Sequence, residues 1–151
     1  MKKFILVAFI FIFSVTVKAQ DTSLFHFTFN HLALSVKDPA VSVEFYKNVF
    51  QLQEINNRTK KEGIRWMSMG QDKELHFISI IKEPFLINKA IHLSLTTPHF
   101  DAFARRLDSL HITYSDWPGV AHTITKRADG ISQLYLQDPD GYWVEVNNVG
   151  Q

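Results

Sequence analysis

The sequence has 151 residues, a formal net charge of +1 at pH 7 and no cysteine. The near-neutral charge offers no basic face for nucleic acid, and the lack of cysteine excludes both a disulfide framework and a thiolate metal site. The length is sufficient for one domain with a substantial hydrophobic core.

The first residues have the pattern of an export signal. Lys2 and Lys3 precede an apolar run over residues 4–15, and Ala19 offers a small residue at a cleavage point. The run is shorter than the about 20 residues that a membrane-spanning helix needs. We predict a signal peptide over residues 1–19 and an exported mature chain, periplasmic or secreted, that makes no further contact with the membrane. The alternative is an uncleaved N-terminal anchor.

A strand and a helix are predicted next. Residues 30–36 alternate between an aliphatic face and a small, polar face that carries His31. Asp38 and Pro39 predict an N-cap and a first helical turn, and the helix is expected to run to about Phe50. Its buried stripe is expected to contain Val41, Phe45 and Val49.

Three further strands are predicted in the first half of the chain. In the last of them Glu74 and His76 share one face, while the apolar residues that alternate with them share the other. The predicted strands cover residues 53–59, 64–69 and 74–81.

The same order of elements then starts again. His-Leu-Ala-Leu at residues 31–34 recurs as His-Leu-Ser-Leu at residues 92–95, and Thr97-Pro98 is expected to open a second helix. The chain ends in a predicted hairpin, whose strands over residues 131–136 and 142–146 flank a turn-forming Asp-Pro-Asp-Gly sequence.

Each repeat has one helix, which can cover one face of its sheet. The sequence therefore predicts an α+β fold, with a single domain over residues 26–149 that contains two β-α-β-β-β modules, at residues 28–82 and 89–149. The uncovered faces of the two sheets would line whatever space they enclose.

Four side chains with metal-binding groups lie on these uncovered faces. A pseudo-two-fold relation between the modules would bring their strands together, so the four are expected to converge on one divalent ion. Zn, Ni, Fe, Co and Mn are all chemically suitable for such a site. An unpaired carboxylate in mid-strand is costly to bury, which favours a metal site over a merely solvated face. The four residues are His31, His76, His92 and Glu145.

Two alternatives to this ligand set remain open. Glu74 lies on the same face as His76 and could be the fourth ligand in its place. Each histidine could also be an ordinary strand residue, since lone histidines are common in half-buried strands.

These residues resemble the motifs of the vicinal oxygen chelate superfamily, which includes glyoxalase I, extradiol dioxygenases and bleomycin-binding proteins. The resemblance implies two paired modules that form a cup-shaped sheet around a divalent metal, bound by the four residues named above. Glyoxalase I members commonly carry glutamate where this chain has His76, so the resemblance leaves Glu145 as the catalytic base. The matching stretches are residues 30–36, Phe45-Tyr46, residues 92–95 and residues 138–141, which lead to Glu145.

The resemblance implies several functions. The leading hypothesis is an exported, metal-dependent glyoxalase-like enzyme, a lyase or isomerase that acts on a small oxygen-chelating substrate. The first alternative is an Fe(II) extradiol-type dioxygenase, in which His76 would not bind the metal but would act as an acid beside it. The second is a metal-independent small-molecule-binding module of the bleomycin-resistance type. The cup could lie within one chain or between the two chains of a homodimer.

Three residues are candidates for contacts with the small-molecule substrate. Trp66 and Trp143 are candidate pocket walls, and Arg127, in the loop before the final hairpin, could hold an anionic group. The alternative interpretation is that both tryptophans are core aromatics and that the loop is simply solvated.

Overall fold

The computed structural model describes residue 25, residues 27–80 and residues 87–150. The predicted signal peptide lies outside these residues. Within them, no helix has the length and apolarity needed to span a membrane. The elements are β1 (His31–Ser35), α1 (Pro39–Phe50), β2 (Gln53–Ile55), β3 (Ile64–Gly70), β4 (Lys73–Ile78), β5 (His92–Thr96), α2 (Phe100–Ser109), β6 (Tyr114–Ser115), β7 (Thr125–Lys126), β8 (Ser132–Gln137) and β9 (Trp143–Asn147).

The strands form two sheets, one from each predicted module. The first has the order β1-β4-β3-β2, and the second has the order β5-β9-β8-β6, with β7 also paired to β8. In each sheet the first strand of the module runs parallel to the last one, and the other neighbours are antiparallel. The predicted α+β class and the β-α-β-β-β repeat are therefore confirmed.

The strand registers show which positions of the two sheets are equivalent. His76 lies opposite Ala33 across β1 and β4, and Glu145 lies opposite Ser94 across β5 and β9. Ala33 and Ser94 occupy the same place in the sequence repeat. His76 and Glu145 are therefore equivalent residues of the two modules.

Helix α1 begins as predicted but is rotated from its predicted orientation. Asp38 is its N-cap, and its Oδ1 accepts a hydrogen bond from the amide of Ala40 at 2.8 Å. The prediction that Val41 is buried was wrong, because 51% of this residue is exposed. The helix instead turns Ser42 and Tyr46 inward, and their hydroxyls donate to the carboxylates of the 138–141 turn.

Other predicted boundaries were also wrong, and the strand predicted over residues 74–81 ends at Ile78. Strand β2 ends at Ile55, because the Asn57 side chain bonds the carbonyls of Lys61 and Ile64 and so forms a turn where strand was expected. Helix α2 starts at Phe100, since the Thr97 hydroxyl accepts the amide of His99 before the helix begins.

One hydrophobic core joins the helix-covered sides of both sheets. Phe50 of α1 and Phe103 of α2 meet with ring centroids 5.5 Å apart, and apolar residues of both sheets belong to the same buried cluster. Tyr142 also links the two sheets, since its hydroxyl donates to the Ser35 carbonyl at 3.0 Å and accepts a hydrogen bond from the Ser35 amide at 3.1 Å. In the described part of the chain no helix covers the other, open face of either sheet, and His31 is exposed there.

Candidate functional site

Glu145 is the centre of a polar cluster on the open face of the second sheet. As a whole residue Glu145 is 7% exposed. Oε2 accepts the Tyr135 hydroxyl at 2.6 Å, and Oε1 accepts the Ser94 hydroxyl at 3.1 Å and the Asn147 amide at 2.8 Å. Burial alone would raise the pKa of Glu145, but these hydrogen bonds outweigh it and hold the pKa below its usual value. The carboxylate is therefore kept ionised.

The ring of His92 faces this carboxylate. Its Nδ1 donates to the Lys89 carbonyl at 2.8 Å, so in the neutral ring Nε2 carries the lone pair. Nε2 lies 3.4 Å from Glu145 Oε2. A lone pair and a carboxylate oxygen repel each other unless a cation lies between them. The two species that satisfy this contact are a second proton on the ring and a metal ion.

The spacing of this pair fits a metal. Two ligand atoms that each lie about 2.1 Å from a tetrahedral ion are about 3.4 Å apart, which matches the separation of His92 Nε2 from Glu145 Oε2. The bond from Nδ1 to a backbone carbonyl is also the usual means by which a metal-binding histidine is oriented. His92 and Glu145 therefore have the chemistry and spacing of two ligands.

Lys89 is a further member of this cluster that the sequence did not reveal. Its Nζ donates to Ser115 Oγ at 3.1 Å and to the carbonyls of Asp116 and Trp117 at 2.8 and 3.2 Å. The same ammonium lies 4.4 Å from the ring centroid of Trp143. Burial lowers the pKa of Lys89. Because its own carbonyl orients His92, this lysine connects the histidine to the 115–117 segment.

The open face of the first sheet carries a different arrangement. The rings of His31 and His76 are stacked, with centroids 4.3 Å apart and planes within 15°. Trp66 covers the other face of His76 at 4.1 Å and 5°. The Nε2 of His76 donates to Glu74 Oε2 at 2.8 Å, and Arg58 donates to Glu74 Oε1 at 2.7 Å. Glu74 therefore has both oxygens engaged.

Stacking limits what His31 and His76 can do together. An imidazole binds a metal through a lone pair that lies in the ring plane. No ion can lie in both of two nearly parallel planes that are about a ring thickness apart. As placed, these two histidines do not form a ligand pair for one ion.

The four predicted ligands lie in two pairs, one on each sheet. His31 contacts His76, and His92 contacts Glu145. Nowhere in the described parts of the chain do three or more His, Asp or Glu side chains gather closely enough to hold a metal. A single chain thus does not bring the four side chains together.

The three residues predicted to contact the substrate have different environments. Trp66 is 7% exposed and lies behind His76, while Trp143 is partly buried beside Lys89. Arg127 is exposed and forms an ion pair with Asp129 at 2.7 Å. Their roles toward a substrate stay predictions.

A cavity of about 520 Å³ lies away from these residues, beside the C-terminal end of α1 and the first turns of α2. Its lining includes Phe50, Leu52, Met69, Leu95 and Phe103 and none of the predicted site residues. We place the chemistry at the open faces rather than in this cavity, because the ionisable and metal-binding groups are there.

The model of the Glyoxalase/Bleomycin resistance protein/Dioxygenase superfamily matches residues 28–146. No curated protein matches the chain.

Several solved structures share the fold. A protein described as a glyoxalase family member from Bacillus anthracis is 19% identical, with a TM-score of 0.67, and the match covers 82% of this chain and 96% of that one. The lactoylglutathione lyase of Agrobacterium tumefaciens is 18% identical, with a TM-score of 0.62 and coverage of 81% and 93%. Oxidase ChaP-H2 is 17% identical, with a TM-score of 0.63 and coverage of 82% and 94%. At these identities the likeness establishes the fold alone.

Proposed function

The chain belongs to the Glyoxalase/Bleomycin resistance protein/Dioxygenase superfamily, and from this membership we propose that it is a metal-dependent glyoxalase-like enzyme. It would act as a lyase or isomerase on a small substrate that chelates the metal through neighbouring oxygens. The observation that carries the proposal is the His92–Glu145 pair, with its 3.4 Å spacing and its oriented imidazole.

His92 and Glu145 would hold the divalent ion, and His31 would supply a further ligand. When bound, the ion would stabilise the negative charge that develops on a substrate oxygen. The lowered pKa of Glu145 supports a role as ligand, because it keeps the carboxylate charged. The same shift makes Glu145 a weaker base, so we expect a substrate to displace one of its hydrogen bonds before it accepts a proton.

We propose that the complete site forms between two copies of the chain. The two ligand pairs occupy the open faces of different sheets, while the helix-covered faces share one core. An antiparallel homodimer could place the first sheet of one copy opposite the second sheet of the other. Sedimentation analysis should then give a dimer, and a monomer that retains full activity would contradict this arrangement.

One observation favours a second candidate, an Fe(II) extradiol-type dioxygenase. Stacking removes His76 from the possible ligands of an ion bound by His31. The remaining set of His31, His92 and Glu145 is two histidines and one carboxylate, which is typical of non-haem Fe(II) oxygenases.

Activity assays on protein purified without a histidine tag test both candidates. The protein is loaded with Zn, Ni or Co and assayed with methylglyoxal and a panel of thiols, and the Fe(II) form is assayed for oxygen uptake with catechols. We expect turnover in one of these assays and its loss in the His92→Ala, Glu145→Ala double variant. Absence of turnover in every metal form, or turnover that the double variant retains, would contradict a metal-dependent enzyme.

We also propose that the protein is exported, on the basis of the basic start, short apolar run and Ala19. Expression of the full chain in a Gram-negative host should give a periplasmic protein whose N-terminus is Gln20. A cytoplasmic protein that begins at Met1 would contradict export.

A further inference from the structure

Four flat side chains are stacked across the open face of the first sheet. The Arg58 guanidinium lies 4.6 Å from the Trp66 centroid, and the Trp66 ring is followed by the rings of His76 and His31. The rings of Trp66, His76 and His31 therefore form one continuous stack, and the Arg58 guanidinium also contacts the indole.

The stack is exposed at both ends, and the Arg58 side chain at one of them is 64% exposed. It runs from β3 through β4 to β1, which is the edge strand of the sheet. His31 is exposed at that edge, whereas His76 and Trp66 are 8% and 7% exposed. Among the described residues of the stack, the outer face of the His31 ring is therefore the one ring face that is left open to a ligand.

Hydrogen bonds fix the orientation of the layers. His31 Nδ1 donates to Asn30 Oδ1 at 2.7 Å, and His76 Nε2 donates to Glu74 at 2.8 Å. Arg58 is held by the same Glu74 carboxylate at 2.7 Å. A ligand that stacks on His31 would therefore meet a surface that is already ordered, which reduces the entropic cost of binding.

The indole of Trp66 is an independent indication that this array is organised by its ring faces. Its Nε1 is buried and has no hydrogen-bond partner among the described residues. A buried N–H without a partner is destabilising. The site tolerates this because the indole is oriented to stack against His76 and Arg58 rather than to donate.

We propose that His31 is the exposed ring of a stacking platform and that the substrate contains a planar conjugated ring that binds face-on to it. This inference rests on the proposed function, since it names the substrate class of that site. An ion bound by His31 Nε2 lies in the plane of that ring, about a ring thickness from the plane of a stacked ligand. The oxygens that chelate the ion must therefore be carried on a chain attached to the substrate's ring and not lie in the plane of the ring itself.

Calorimetric binding in EDTA tests the platform without any contribution from metal. The probe is 2-naphthoate, and the matched control is decahydro-2-naphthoate, which has the same carbon skeleton and charge but no planar ring. We expect 2-naphthoate to bind at least about tenfold more tightly, as is usual for stacking on an aromatic side chain. Equal affinities for the two carboxylates would overturn the proposal.

Two variants of His31 separate stacking from other effects. His31→Phe keeps a flat ring but has no ligand nitrogen, and His31→Leu keeps apolar volume without a ring. The Phe variant should bind 2-naphthoate within about twofold of the native protein, and the Leu variant about tenfold more weakly. A Phe variant that loses as much affinity as the Leu variant would overturn the proposal.

The same samples distinguish failure of this inference from failure of the proposed function. If the native protein binds no metal but still prefers the planar probe as described, the platform stands and the metal enzyme does not. If metal and activity are present but the planar probe shows no preference, the platform is wrong. A dimer interface that covers His31 and blocks the probe would likewise overturn the platform.

Discussion

The Nε2 atom of His92 lies 3.4 Å from Oε2 of Glu145, on the parallel pair of strands β5 and β9. The equivalent residues of the first sheet, His31 and His76, are stacked face to face instead. The two modules therefore repeat their backbone but use equivalent positions differently. One sheet presents a pair with ligand geometry, and the other presents a stack of rings.

Tyr135 should contribute to stability through Glu145. Its hydroxyl donates to a buried carboxylate at 2.6 Å, and a hydrogen bond to a charged group is worth about 1.5–3 kcal/mol. Tyr135→Phe is therefore expected to lower the free energy of unfolding of the metal-free protein by about 2 kcal/mol in urea titrations.

A double-mutant cycle with Glu145→Gln provides the control for this effect. If the hydrogen bond is responsible, Tyr135→Phe should cost at least about 1 kcal/mol less in a protein that already carries Glu145→Gln. An equal cost in both backgrounds would assign the loss to packing and not to the bond with the carboxylate.

Asp138 should make stability decrease as the pH rises from about 4 to 6. Burial raises the pKa of Asp138 to about 6, despite hydrogen bonds from the Tyr142 and Asp140 amides and the Tyr46 hydroxyl. In the unfolded chain its pKa is about 3.9. Between these values the folded state retains a proton that the unfolded state has released, so stability falls as the pH rises and levels off above about 6.

The comparison of native protein with Asp138→Asn isolates this effect. A difference of about 2 pKa units corresponds to on the order of 3 kcal/mol. Urea unfolding at pH 4, 5, 6 and 7 should show that the native protein loses this much relative to the variant. A difference between the two proteins that stays constant with pH would show that Asp138 does not titrate in this way.

Tyr142 should hold the first strand to the final hairpin. Its hydroxyl bonds both the carbonyl and the amide of Ser35, so Tyr142→Phe leaves a partly buried amide without this partner. We expect a loss of about 1–2 kcal/mol in urea unfolding, with an unchanged m-value.

Hydrogen exchange gives this prediction a matched control. The Ser35 amide should exchange faster in Tyr142→Phe, whereas the Val36 amide, which donates to the Ile78 carbonyl at 2.9 Å, should keep its protection. Equal loss of protection at both amides would indicate general loosening of β1 rather than loss of one bond.

Local sequence signals were sufficient to predict the backbone of the fold. Alternation around His31 and His92 marked the first strand of each module, and Asp38 marked the start of α1. The Asp-Pro-Asp-Gly sequence marked the turn between β8 and β9. These features depend on residues that are close together in the chain, so they can be recognised from the sequence without knowledge of tertiary contacts.

The features that the sequence did not predict, such as the orientation of α1 and the role of Lys89, depend on tertiary contacts. Val41 faces solvent because Ser42 and Tyr46 reach the distant turn that carries Asp138 and Asp140. The role of Lys89 depends on carbonyls more than 25 residues further along the chain.

The arrangement of the predicted metal ligands also could not be predicted from the sequence. Strand alternation correctly placed His76 on the open face, but it could not show that Trp66 and His31 would stack against its ring. Side-chain orientation depends on such cross-strand neighbours, and they are not adjacent in the sequence.

The most direct test of the central claim is metal affinity, measured by competition with a chromophoric chelator on protein purified without a tag. The native protein is compared with His92→Ala, with Glu145→Gln and with the control His122→Ala, whose side chain is 54% exposed and lies outside the site. We predict stoichiometric binding that His92→Ala and Glu145→Gln each weaken at least about a hundredfold and that His122→Ala leaves unchanged. Affinity that is the same in all four proteins would contradict the assignment of His92 and Glu145 as metal ligands.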